Sequence, residues 1–449
     1  MKSLFILCIF SILLTSSSFS QQNGRPSDSE GQWAISMEQR IHGLMTIWSE
    51  VKFGFPYPEK LKTLDWDNKV QEYIPRVTKA DNEDDYYKAL MEFAVLLQDD
   101  HTKVLPPWGY FKPGYDYPPI QIQVIDRKFY ISRLWENEDI VSQQLAPGTE
   151  ILEVNNVSTQ TFFQDQILKY YTQGTKQANE AILVFYLLHG PKNEKVQLKI
   201  KNPGATEKNV KLARNSKDKD GAQFLYTFAY NAFVASTIEV KWFRDNILYI
   251  NIPSFENDQI ANDFQTLIDT VDISRIKGMI LDVRNNMGGS DRNSAKVVEC
   301  LINKPVSSPS MHFYHYIAAY KAWGKNDKIW DLSQKTIMPR DGKKYLGPIA
   351  LLTGPVSTSS AEDLIIELKE TNRTTTIGQR TAGGAGNTLI FNLPGGGTFR
   401  MATFKATFPD ETEYIGIGIK PDIELYPTVD DLVNNYDRVL EKGIELFRQ

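Results

Sequence analysis

Cysteine is nearly missing from this chain: there are two among 449 residues. One of them, Cys8, lies in an apolar opening stretch, so once that stretch is removed only Cys300 remains. No internal disulfide can then form, the fold must be held by its core, and Cys300 reads as a buried free thiol. Histidine is also scarce, with five in all, which leaves few candidates for a base. No long run of one charge occurs. Fifty basic and 55 acidic residues leave a formal net charge of -5, and without a basic groove or arm no nucleic-acid partner is expected. Beyond the opening residues no segment is apolar enough to cross a bilayer. The Gly288-Gly289 pair has neither GxGxxG nor GxxxxGK[ST] spacing, and no cofactor or metal is expected.

What is present begins with "MKSLFILCIFSILLTSSSFSQQ". A Lys, an apolar run and a short polar stretch together read as a secretory signal peptide over 1–20, hence a secreted or periplasmic protein. Composition and periodicity divide the remainder into three. Residues 33–110 are helical: Ile41, Leu44, Ile47, Trp48 and Val51 share one face and Tyr86, Leu90, Phe93 and Leu97 another. Residues 118–213 carry short alternating runs ("PIQIQVI", "KFYISRL", "TEILEVNNV", "KVQLKI"). There "LAPGTEILEVNNVS" resembles the PDZ pattern, although any small antiparallel barrel would read similarly. Residues 222–449 alternate buried strands ("ILYINIP", "GMILDVR", "IALLTG", "TTTIG") with helices. The fold class is therefore α/β and multi-domain. In a parallel sheet the chemistry gathers where strands end and helices begin. The aromatic-rich insertion from Lys304 to Leu346 has no assigned place.

Two stretches occupy that edge, "RNNMGGS" and "GPVSTSSAED". A serine at a helix mouth suits acyl transfer, because backbone N–H groups there can hold an oxyanion; equally, such a serine can be an ordinary helix cap. Its base must come from five histidines. His42 lies on an amphipathic helix, His189 in an "HGP" turn, and His312 and His315 in the insertion without acidic or Cys partners in sequence. His101, in "LLQDDHTKV" directly after a helix, is the best placed.

Together "LLQDDHT", "GMILDVRNNMGG", "LLTGPVSTSSAED", "IGQRTAGGAG" and "YIGIGIKPDIEL" resemble, in order, the S41 serine peptidases of the C-terminal processing and tricorn-core group. The resemblance implies a crotonase-like αβ core and a serine endopeptidase acting through an acyl-enzyme. It implies Ser359 as nucleophile, with Ser357 and Ser360 as near alternatives, and an oxyanion hole from the N–H of Gly288 or Gly289 with that of Ser360. The Lys of the family's Ser-Lys dyad is replaced by Gly384 in "GQRTAGG", which points to the branch using Ser, His and Glu. His101 is then the base. The family's Glu position holds Ile415, so Glu413, two residues upstream, becomes the expected third member on the premise of an extended strand. A peptide or protein is the implied substrate, lying along a sheet edge and captured or gated by the PDZ-like part. A catalytically inactive peptide-binding relative, or an esterase or amidase on the same core, are the rival readings.

Overall fold

The computed structural model describes residues 35–110, 112–217, 220–221, 225–326, 328–332 and 335–448. The expected signal peptide, with Cys8, lies outside the described residues. Residues 35–449 form one unit, so the three parts read from the sequence pack against one another. No helix among the described residues is long and apolar enough to cross a membrane.

Its centre is a six-stranded sheet. From one edge to the other the strands are Glu239–Phe243, Ile247–Asn251, Gly278–Asp282, Ile349–Thr353, Thr374–Gly378 and Ile423–Glu424. The first pair is antiparallel and every later pair parallel. Gly278–Asp282 and Ile349–Thr353 are buried along their whole length. That explains why they read as unbroken apolar runs: helices cover both faces of a parallel sheet. On one face lie Asp258–Thr270, Asp291–Glu299 and Ser360–Lys369, which contribute Phe264, Val297, Leu364 and Ile365 to a shared core. Arg438–Leu446 covers the other, with Val439 and Ile444 against Ile280 and Leu352.

The helical segment has four helices, Met37–Gly54, Pro58–Leu64, Trp66–Thr78 and Glu83–Val95. Leu44, Ile47 and Val51 are fully buried as expected, and Asn82 caps the last helix through Asp85 N–H. The antiparallel part has the strand order Ile120–Ile125, Lys128–Leu134, Glu150–Val154, Lys195–Lys201, Glu207–Ala213. Within it Thr159–Phe162 is helical and is continued by one wide turn to Ile167. A helix missed in the sequence, Lys176–Ile182, extends as a tighter turn to Leu188.

Two long-range pairings tie the parts together. Lys103–Leu105, leaving the helical segment, adds to the hairpin Thr388–Asn392 and Thr398–Ala402, with Lys103 opposite Arg400. The insertion folds as a hairpin, Ser310–His315 with Lys328–Leu332, anchored by pairing with Lys405–Thr407.

Candidate active site

After strand Ile349–Thr353 the chain turns through Gly354 and Pro355 into helix Ser360–Lys369, and Ser359 is the last residue before the helix. Its backbone sits at φ 58°, ψ -131°, a conformation that costs a side-chain-bearing residue about 1–3 kcal/mol and persists only where the surroundings impose it. They do so here. Ser359 N–H is directed to Gly384 O (2.8 Å) and to Glu362 Oε2 (3.2 Å), and its carbonyl accepts from Glu362 and Asp363 N–H. The result lifts Ser359 onto the wall of a cavity of about 720 Å³.

The neighbouring serines do other work. Ser357 is wholly buried, donating to Val283 O at 2.8 Å and accepting from Gly354 N–H, and so pins the turn. Ser360 is also buried, and neither lines the cavity.

Facing Ser359 is the glycine loop after Gly278–Asp282. Gly288 has φ 87°, and a Cβ built on it would stand 2.8 Å from Ser359 Cβ and 2.8 Å from Thr358 O, so only glycine permits this approach. The Gly288 N–H donates to Asn286 Oδ1 at 2.8 Å, while Asn286 Nδ2 donates to Ile252 O. The N–H groups of Gly289 and Ser360 have no acceptor among the described residues. Two unengaged donors therefore flank Ser359, and Asn286, singled out by nothing in the sequence, holds the loop that supplies one of them.

His101 reaches the same cavity from the helical segment, carried by the pairing of Lys103–Leu105 with the core hairpin. Thr102 Oγ1 accepts from Ala402 N–H and Arg400 Nε reaches His101 O, so the imidazole sits on backbone clamped to the core. His101 and Ser359 share the cavity without a direct hydrogen bond. Nδ1 of His101 lies 2.5 Å from Asp100 Oδ1. Asp100 Oδ2 in turn is 3.2 Å from the Thr358 hydroxyl, next to Ser359. Burial opposes charge on Asp100, but the adjacent His101, with Lys103 and Arg400 nearby, overcomes it and holds the carboxyl below its ordinary range.

Glu413 is elsewhere. It is exposed and ion-paired with Lys405, and Glu411 and Asp410 likewise face away, the first on His312 and the second on its own turn. The extended-strand premise fails because the chain turns here: Phe408 N–H bonds Thr412 O, Glu411 has φ 70°, and Gly418 N–H bonds back to Tyr414 O. A two-residue shift does not preserve direction through such turns. The acid at the imidazole is Asp100, visible in the sequence only as the second Asp of "DDHT".

Behind Ser359, the fully buried Glu362 gathers the Thr381 hydroxyl and the N–H groups of Gly383, Gly384 and Ser359. Burial pushes its carboxyl up to about 8 against the pull of those donors. Gly384, at the position expected of a dyad Lys, packs on the acid of the His pair: a Cβ there would stand 2.1 Å from Asp100 Oδ2.

Comparison with known proteins matches residues 246–425 to the model of peptidase family S41. That segment, 180 of the 449 residues, is what this chain shares with the family. A carboxy-terminal-processing protease of Bartonella bacilliformis is 28% identical over 189 residues, 42% of this chain and 39% of its own length. The carboxy-terminal processing protease CtpA of Bacillus subtilis is 23% identical over 263 residues, 58% of this chain and 49% of its own. The matched region thus spans two-fifths to half of these relatives. Among solved structures, mature CPAF complexed with lactacystin covers 92% of this chain and 98% of its own at TM-score 0.71 and 16% identity, a likeness of fold. The S41 segment supplies Ser359 and both glycines, whereas His101 and Asp100 lie outside it.

Proposed function

We propose that this chain is a serine peptidase that hydrolyses peptide bonds through an acyl-enzyme. Ser359 Oγ attacks the scissile carbonyl. His101 takes its proton on Nε2, the ring nitrogen opposite the one turned to Asp100, and returns it to the leaving amine. Asp100 is the third member in place of Glu413: it fixes the ring tautomer and stabilises the imidazolium that forms. The oxyanion of the tetrahedral intermediate is held by the N–H groups of Gly289 and Ser360, leaving Gly288 as the close-packing residue. Apo hydrogen bonds between nucleophile and base are often long and tighten when substrate binds, so the open arrangement of Ser359 and His101 is compatible with this chemistry.

The reading rests chiefly on one observation: a serine held in a strained backbone conformation at a helix start, on the cavity that also takes in a carboxylate-bound imidazole. The cavity walls suit an extended peptide, since Tyr170, Tyr171, Phe185 and Tyr186 of the antiparallel part line it together with Met91 and Val95 of the helical segment. We assign residues 118–213 as a PDZ-like peptide-capturing part, 33–110 as the helical domain and 222–449 as the crotonase-like core. The leader-like residues 1–20 would send the protein out of the cytoplasm. Mass spectrometry after treatment with a fluorophosphonate should find the label on Ser359, and Ser359→Ala should lose labelling and peptidase activity while keeping its melting temperature. A Ser359→Ala protein that cleaves at the parent rate would remove the nucleophile assignment.

A further inference from the structure

Among the described residues the insertion hairpin lines no part of the catalytic cavity, yet it carries strongly exposed aromatic side chains. Trp323 and Trp330 are 65% and 58% exposed, where a protein surface ordinarily scatters such residues singly. They are not scattered here. Tyr320 and Trp323 lie 6.3 Å apart, and Tyr316 meets Phe53 of helix Met37–Gly54 edge to face at 4.8 Å, prolonging the strip onto the helical segment. Three lysines are threaded through it. Lys321 stands 5.7 Å from the Tyr316 ring, Lys325 5.3 Å from Trp323 and 5.6 Å from Tyr320, and Lys328 5.8 Å from Trp330. Among the described residues none of the three is paired with a carboxylate, and the sequence from Tyr316 to Trp330 holds one Asp against them. The local charge is thus positive on a chain whose formal net charge is -5.

We propose that this face docks on an anionic lipid surface. Two occupants suit exposed Trp and Tyr, a protein partner and a membrane interface, and the lysines separate them. Lysine is depleted from protein–protein interfaces. At a bilayer surface Trp and Tyr rings settle at headgroup level, and each Lys near anionic lipid adds attraction. The cation–π contacts keep each ammonium group beside a ring, with Lys328 joining Tyr320 to Trp330, so apolar insertion and charge attraction draw on the same groups. Because the remainder of the chain is net acidic, an anionic surface repels other orientations and selects this one. Docking would set the cavity at a fixed orientation relative to the bilayer. It requires nothing of Ser359, so the inference and the peptidase reading can fail separately.

Co-sedimentation of the full chain with phosphatidylcholine vesicles, with and without about one-third phosphatidylglycerol, tests it. Binding is expected only to the anionic vesicles, with a blue shift of tryptophan emission, and high salt should release the protein. The triple variant K321E/K325E/K328E should lower partitioning by at least roughly a hundredfold, at about fivefold per lysine lost. Trp323→Ala with Trp330→Ala should remove the blue shift, while both variants keep the parent's peptidase activity as evidence of folding. Failure of the parent to bind anionic vesicles at low salt would overturn the proposal, as would a triple variant that binds as well as the parent. Light scattering that finds a dimer dissociated by the tryptophan changes, with no vesicle binding, would assign the face to a second copy instead.

Discussion

Two acid-rich stretches, "QDDHT" at 98–102 and "PDETE" at 409–413, offer carboxylates to the same histidine, and the fold uses them oppositely. In the first, Asp99 and Asp100 are buried on backbone clamped to the hairpin that ends in Ala402. In the second, Asp410, Glu411 and Glu413 ride a solvent-facing turn, and Glu413 is spent on Lys405. What qualifies an acid for the imidazole is a rigid, desolvated place beside it. Ionising a buried acid is costly, and at Asp100 the adjacent His101 meets that cost. At Asp99 burial and the neighbouring Asp100 push the carboxyl up, outweighing the pull of His101, of the Thr102 hydrogen bond and of Lys60.

Several substitutions would break or sharpen this contrast. The largest effect is expected of Asp100→Asn, which keeps the shape but leaves Nδ1 without an anion. A loss of about 10²–10⁴ in kcat is predicted with little change in KM, read from initial rates on a peptide substrate. Gly384→Ala comes next. Its methyl group would enter the space of the Asp100 carboxylate, so activity should fall by more than about tenfold and thermal stability should drop with it. Glu413→Gln should leave kcat within about twofold of the parent, since losing an exposed ion pair to Lys405 removes at most about 1 kcal/mol.

The smallest effect concerns stability and not rate. Glu367 is buried and held by one hydrogen bond from Ser308 at 2.9 Å; burial pushes its carboxyl up to about 8. A folded-state value above the unfolded one makes the protonated acid stabilising at low pH. That contribution should be lost as pH rises from about 4.5 towards 8. Glu367→Gln, neutral throughout, should therefore flatten the decline of melting temperature over that window; an unchanged slope would mean the acid is already ionised below it.

Legibility followed burial and sequence distance. The strands Ile247–Asn251, Gly278–Asp282 and Ile349–Thr353 could be read from their apolar runs because two-sided burial admits little else, and the loops bearing Ser359 and Gly288–Gly289 followed from where those runs stop. His101 was found by its place after a helix. Asp100 was hidden by adjacency, since the pairing of neighbouring side chains depends on backbone geometry that spacing does not encode. Glu362 stands in the first turn of its helix, and its bonds to Thr381, Gly383 and Gly384 form only where separate loops converge. The expectation at Glu413 failed at a positive φ in Glu411. The insertion stayed unplaced because its anchoring strand, Lys405–Thr407, lies far along the chain.

The central claim is that the Asp100–His101 pair, and no acid of the 409–413 turn, activates Ser359. Its most direct test is the rate of fluorophosphonate labelling at Ser359 in the parent, Asp100→Asn and Glu413→Gln proteins. Labelling slowed at least about a hundredfold by Asp100→Asn and untouched by Glu413→Gln is the result expected; a slow Glu413→Gln beside an undiminished Asp100→Asn would contradict it.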